Sequence, residues 1–219
     1  MSVTLRKTRR QVLEGAAVGS AALFAASLLP SAAFAQNVPA AELMKPGALP
    51  DIWQGDEKAP VTIIEYASAT CSHCAHFHET TYKELKTKYI DTGKVRFTMR
   101  EFPFDPLAQA GFMLARCSGD DKRDAVVGLL LAQQKNWAMS DKPLQGLMTL
   151  MRQTGMSQET FESCLKDQAL YDNIGKVRDQ GAEKFTVNST PTFFINGTRL
   201  VGAVSLEEME KLILPSLKS

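Results

Sequence analysis

The spacing of hydrophobic and polar positions changes period several times along this 219-residue chain, and each change marks an element. Val61-Thr62-Ile63-Ile64-Glu65-Tyr66 is short, apolar and rich in β-branched residues, which predicts a buried strand. From Cys74 to Ile90 the pattern turns helical, with Cys74, Phe77, Leu85 and Tyr89 on one side and Gly93 as the stop. From Lys94 to Arg100, Val95, Phe97 and Met99 alternate with Lys94, Arg96, Thr98 and Arg100, predicting a second strand. The first part therefore reads as a βαβ unit, preceded by a leader at 36–50 in which Pro39, Pro46 and Pro50 limit regular structure.

Residues 104–185 read as helical throughout. Leu107, Ala110, Leu114 and Cys117 fall at helical spacing. Asp121 to Gln134 carries Val126, Val127, Leu129, Leu130 and Leu131, and Leu144 to Met151 is a further apolar run ending near Gly155. Ser157 is placed to cap a short helix with Phe161, Cys164 and Leu165 inward. Residues 168–185 predict a last, more charged helix. Strands return with Thr192–Ile195 and Thr198–Val201, joined by Asn196-Gly197, a hairpin signal. Ser205-Leu206-Glu207-Glu208 is a capping box for a closing helix. A βαβ unit, a helical block and a ββα unit add up to an α/β thioredoxin fold with an all-helical insertion. The expected bounds are 36–103 and 186–219 for the fold domain and 104–185 for the insertion.

The N-terminus adds a destination. Arg6, Lys7, Arg9 and Arg10 precede an apolar stretch from Gly15 to Leu29, and Ser31-Ala32-Ala33-Phe34-Ala35 ends in a small-residue cleavage site. Residues 1–35 therefore read as a cleaved signal peptide, with a periplasmic product. As a retained anchor the stretch is short of the ~20 residues a spanning helix needs. Thr8-Arg9-Arg10-Gln11-Val12-Leu13 resembles a twin-arginine signal, although Glu14 stands where a base is usual, and the general secretory route stays open. The net charge of +1 offers no basic surplus for nucleic acid. All four cysteines follow residue 35, an even count in an oxidising compartment.

Cys71-Ser72-His73-Cys74 then carries the chemistry. A cysteine at a helix start faces unpaired N–H groups and the positive end of the helix, both of which favour thiolate. The thiolate is the attacking species in disulfide exchange. Cys71 is expected to attack and Cys74, one turn into the core, to resolve. An imidazole at His73 would stabilise the Cys71 thiolate further. Glu65, in an apolar strand six positions before Cys71, is costly to bury and suits proton transfer with Cys74. Thr190-Pro191 opens an apolar strand; a cis bond there would present the Thr190 backbone beside the cysteines, where an extended substrate can pair. A trans proline is the alternative.

Ile64 to Cys74, together with Thr190-Pro191-Thr192-Phe193-Phe194-Ile195-Asn196-Gly197, resembles the DsbA family of periplasmic thiol–disulfide interchange proteins, from about Gly55 to Leu214. The resemblance implies that Cys71 and Cys74 are the redox pair, that His73 tunes it, that Glu65 is the buried acid and that Pro191 is the cis proline. It implies donation of disulfides to reduced or unfolded exported proteins and re-oxidation by a membrane quinone-linked thiol oxidase. Ser72 replaces the proline of the best-known members, and Thr190 stands where valine is frequent. Both bear on redox poise and substrate choice.

Cys117 and Cys164 are expected to form a structural disulfide, since export favours pairing and some similar sequences carry such a bridge. Two separate buried thiols or a second redox pair are the alternatives. Periplasmic reduction or isomerisation rivals oxidation, although isomerases of this type usually add a dimerisation domain and this chain is expected to be a monomer. The only histidines, His73, His76 and His78, crowd the cysteines and suggest a copper or zinc carrier. Helical directions keep His76 and His78 from both joining Cys71, so no metal and no cofactor beyond the Cys71–Cys74 disulfide are expected.

Overall fold

The computed structural model describes residues 37–45 and 47–218, so the segment expected to be cleaved, 1–35, lies outside the described residues. Four strands form one sheet in the order β2-β1-β3-β4. They are β1 (Val61–Ala67), β2 (Val95–Glu101), β3 (Thr192–Ile195) and β4 (Thr198–Val201). β2 runs parallel to β1, while β3 is antiparallel to both β1 and β4. Asn196 and Gly197 turn the β3–β4 hairpin with φ of 46° and 93°, the left-handed pair that this two-residue turn requires. Register places Glu65 between Met99 and Phe193.

Side chains of β1 alternate between two faces. Val61, Ile63 and Ala67 join the larger core with Phe77 and Leu85, whereas Ile64 and Tyr66 join a smaller one with Leu43, Phe185 and Phe194. Glu65 has the parity of the first set and so lies on the face that carries the helix after β1. Gly181 lets the last helix of the insertion approach the second face: a Cβ there would meet Tyr66 Cε1 at 2.7 Å.

The helices are α1 (Ala40–Leu43), α2 (Ser72–Glu79), α3 (Thr81–Leu85), α4 (Pro106–Cys117), α5 (Asp120–Ala132), α6 (Gln134–Trp137), α7 (Pro143–Gln153), α8 (Gln158–Leu165), α9 (Gln168–Phe185) and α10 (Leu206–Ser216). Three expectations are refined. The leader, limited by its prolines as expected, still holds one four-residue helix, α1, with Pro39 as its N-cap residue. The single helix expected over Cys74–Ile90 is broken at Thr80 into α2 and α3, followed by a π-helical turn at Lys86–Ile90. Thr80 Oγ1 donates to the His76 carbonyl at 2.8 Å beside the Thr80 N–H at 3.0 Å, closing α2, and Thr81 Oγ1 ties the start of α3 to the Val204 carbonyl at 3.0 Å. Finally, α4 is buried nearly all round from Ala108 to Ala115; of the expected stripe Leu114 is fully buried, while Leu107, Ala110 and Cys117 lie on a partly buried flank. No helix among the described residues is long and apolar enough to cross a membrane.

A buried ion network ties this helical block to the sheet. Glu101, at the end of β2, accepts from Arg116 of α4 at 2.7 Å and from Arg123 of α5 at 2.8 Å. Arg123 also donates to the Met99 carbonyl at 2.6 Å. Burial pushes the Glu101 carboxyl upward, but the two guanidiniums outweigh it and hold the group at about 2. The carboxylate is therefore stabilising above the ordinary unfolded value and loses that contribution as pH falls through about 4 toward 2. Removing one partner from such a cluster leaves an uncompensated buried charge. Glu101→Ala is expected to cost about 3–5 kcal/mol in urea denaturation at neutral pH; a loss under about 1 kcal/mol would contradict the network's role.

Candidate active site

The chain turns sharply out of β1, with the Cys71 N–H bonded to the Ser68 carbonyl at 3.1 Å. Cys71 is then the N-cap of α2 in extended conformation, and its own carbonyl takes the first helical bond from Ala75 at 3.1 Å. Cys71 is half-buried, whereas Cys74, one turn on, is fully buried. Both thiols are free. Cys71 is lowered to about 5, first by a hydrogen bond from the Cys74 thiol, against the opposing effect of burial. The Thr190 side chain and the backbone N–H groups of Cys74 and His73 add to the lowering. Cys74 moves the other way: burial pushes it well up, and its bond to Cys71 and the charge of Glu65 push it further.

Glu65 is fully buried. Its Oε2 meets His78 Nε2 at 2.9 Å, and its Oε1 is buried with no hydrogen-bond partner. His78 is half-buried, stacked on Tyr82 with ring centroids 4.6 Å apart. Its neighbour on the helix, Phe77, packs on Phe193 of β3 at 4.5 Å.

Thr190-Pro191 is a cis peptide, and it leads directly into β3. The Thr190 carbonyl lies 3.3 Å from Cys71 Sγ and accepts from its thiol. The Thr190 hydroxyl, buried and with no partner of its own, is available to the thiolate. Cys71 and Thr190 thus meet beyond the end of β1, with Cys74 behind Cys71 and within electrostatic reach of Glu65.

His73 is placed differently from the expectation that its imidazole would reach the sulfur. The residue is exposed, and what it contributes to Cys71 is its backbone N–H. His76 is exposed. Among the described residues no cluster of three or more His, Cys, Asp and Glu side chains is placed to hold a metal. Cys117 and Cys164 are bridged, joining α4 to α8 across a sequence separation of 47. Closing a loop of that size stabilises by about 3–4 kcal/mol in the chain-entropy account.

Three contributors escaped the sequence reading. Gln134 of α6 is buried, and its Nε2 donates to the carbonyls of Ala69 and Cys71, both at 2.9 Å. Thr70 donates to Asp105 at 2.5 Å, and the other oxygen of Asp105 caps α4 through the Ala108 N–H. The third is His78. Gln134 and Asp105 left no sequence signal, since both read as ordinary polar ends of helices. His78 did leave one: it is four residues after Cys74, on the same side of the helix.

A family model described as Thioredoxin matches residues 48–214. A Rickettsia conorii protein named as a protein-disulfide oxidoreductase is 32% identical over 169 residues, 77% of this chain and 61% of the relative. The chain thus spans about three-fifths of the length of the Rickettsia relatives it matches. Among solved structures, Wolbachia pipientis alpha-DsbA1 superposes with a TM-score of 0.74 at 29% identity, covering 83% of this chain and 98% of that one. BdbD from Bacillus subtilis shares the fold with a TM-score of 0.67 at 20% identity, covering 77% of this chain and 94% of that one.

The two thiols are expected to separate by pH. Alkylation of the reduced protein by iodoacetamide should show one fast thiol with a midpoint at about 5. A free thiol titrates near ~8.5, so the folded value is depressed. The thiolate's stabilisation of the reduced protein is therefore complete above the free-thiol value and is lost as pH falls through about 5. A fast-thiol midpoint near ~8 would contradict this geometry.

Proposed function

The chain belongs to the thioredoxin family, with a DsbA-like helical insertion, and we propose that it is a thiol–disulfide oxidoreductase that donates the Cys71–Cys74 disulfide to exported proteins. The observation that carries this reading is the setting of Cys71 Sγ. It is half-exposed at the start of α2 and 3.3 Å from the Thr190 carbonyl, with Cys74 buried behind it.

A substrate thiolate attacks Cys71 Sγ in the oxidised protein. The Cys71–Cys74 bond breaks, Cys74 leaves as a thiolate, and it takes up a proton. A second substrate thiolate then attacks the substrate sulfur of the mixed disulfide, and Cys71 leaves as a thiolate. Two electrons pass to the protein; one proton stays on Cys74 and one goes to water. A low-pKa sulfur is the better leaving group, and a stabilised thiolate stabilises the reduced protein, so both effects favour oxidation of the substrate. These directions are known for oxidoreductases of this kind.

In this reading Glu65 exchanges the Cys74 proton, and Thr190 and Pro191 offer backbone to an extended substrate segment. His73 tunes Cys71 through its backbone N–H. The disulfide serves as the only redox group. The protein works as a periplasmic monomer after removal of residues 1–35, and a quinone-linked membrane oxidase restores the disulfide.

Equilibration with glutathione at neutral pH tests the direction. The expected potential lies above about −200 mV, on the oxidising side of the glutaredoxin range. A value at or below about −270 mV, that of thioredoxin, would assign the centre to reduction instead.

A further inference from the structure

Cys74 must gain or lose a proton in every cycle of the exchange proposed above, yet it is sealed from solvent. Glu65 is equally sealed. A buried acid can serve a buried thiol repeatedly only if its own proton is exchanged with water. His78 is the residue placed to do this. One side of its ring meets Glu65 Oε2 at 2.9 Å. The residue also lines a cavity of about 330 Å³ between α2, α3 and α5, together with Ala75, Glu79, Tyr82, Lys83 and Leu131.

We propose that His78 is the outer member of a proton path, carrying protons between Glu65 and this cavity while Glu65 Oε1 serves Cys74. When Cys74 leaves as a thiolate, Glu65 gives it a proton, and His78 restores the Glu65 proton from the cavity side. In the reverse direction the same three groups pass the Cys74 proton outward. No electron moves along the path. His78 touches neither sulfur and acts through Glu65, so it is a positioning residue and not a catalytic one.

The surroundings suit transfer at this point. Glu65 of β1 and Tyr82 of α3 contact the ring, Glu79 and Lys83 line the cavity beside it, and Cys74 lies within electrostatic reach of Glu65. α5 contributes only Gly128, Leu131 and Ala132 to the cavity wall. The Tyr82 ring supports the imidazole, and its hydroxyl is held by Gln54 at 2.6 Å, which in turn bonds Asp124 at 2.8 Å. The histidine is thus fixed from behind with one edge on the acid.

The inference rests on the disulfide-exchange reading, and one experiment separates the two. Reduced protein is mixed with oxidised glutathione, quenched at intervals across pH 5–9, and the Cys71–glutathione adduct followed by mass spectrometry. Its decay reports attack by Cys74 on Cys71 Sγ, which forms the internal disulfide and releases glutathione. In His78→Asn and His78→Ala the decay is expected to slow by about tenfold or more, with a changed pH profile, because a positioned proton-transfer group contributes at least that much. Adduct formation should stay within about twofold, and added imidazole should restore the decay in His78→Ala. Unchanged decay and pH profile in the variants would overturn the inference alone. A slowing that imidazole does not relieve would also overturn it, assigning His78 a packing role. Failure of the wild-type protein to form any adduct would overturn the exchange reading and this inference together.

Discussion

Cys74 is fully buried within α2, while Cys71, three residues earlier, is the N-cap of the same helix at half exposure. The constraint on which the rest depends is this difference in burial between two sulfurs three residues apart at one helix start. Desolvation disfavours charge on Cys74, whereas the Cys74 thiol and the N–H groups at the start of the helix favour negative charge on Cys71. Neither thiol would behave this way alone. In the exchange proposed above, this asymmetry sets which sulfur a substrate meets, which sulfur resolves, and where a proton is handled.

Keeping the two sulfurs in that relation takes contributions from distant segments. Gln134 ties the loop before the helix to α6 through two carbonyls, and Thr70 ties it to Asp105 at the head of α4. Thr190 approaches from the other side as the chain enters β3. The Glu101 network and the Cys117–Cys164 bridge in turn hold the helical block as one body. The insertion is therefore part of the centre's construction, since α6 reaches the carbonyl of Cys71 itself.

Strands and caps were legible because each is specified locally: alternation gave β2, Asn196-Gly197 gave the hairpin, and the Ser205–Glu208 capping box opens α10 as expected. The thioredoxin architecture followed from the order of those pieces. The break at Thr80 was not legible, because the helical period continues through it and the partner that anchors Thr81, the Val204 carbonyl, lies far along the chain. Cys71, Cys74 and Glu65 could be singled out because burial, charge and spacing are printed in neighbouring residues. Gln134 lies 63 positions from Cys71, and nothing near it in sequence tells a clamp from a polar helix end. The His73 imidazole was assigned from proximity in sequence, but the helix turns that side chain outward and leaves only its N–H facing the sulfur.

The division of labour between the two sulfurs is tested most directly by trapping. Cys71→Ala and Cys74→Ala proteins, each confirmed to be folded, are incubated with a reduced substrate protein and mild oxidant, and mixed disulfides are mapped by peptide mass spectrometry. Stable adducts through Cys71 should accumulate in Cys74→Ala, and the buried Cys74 of Cys71→Ala should form almost none. Adducts through Cys74 at a comparable level would contradict the account.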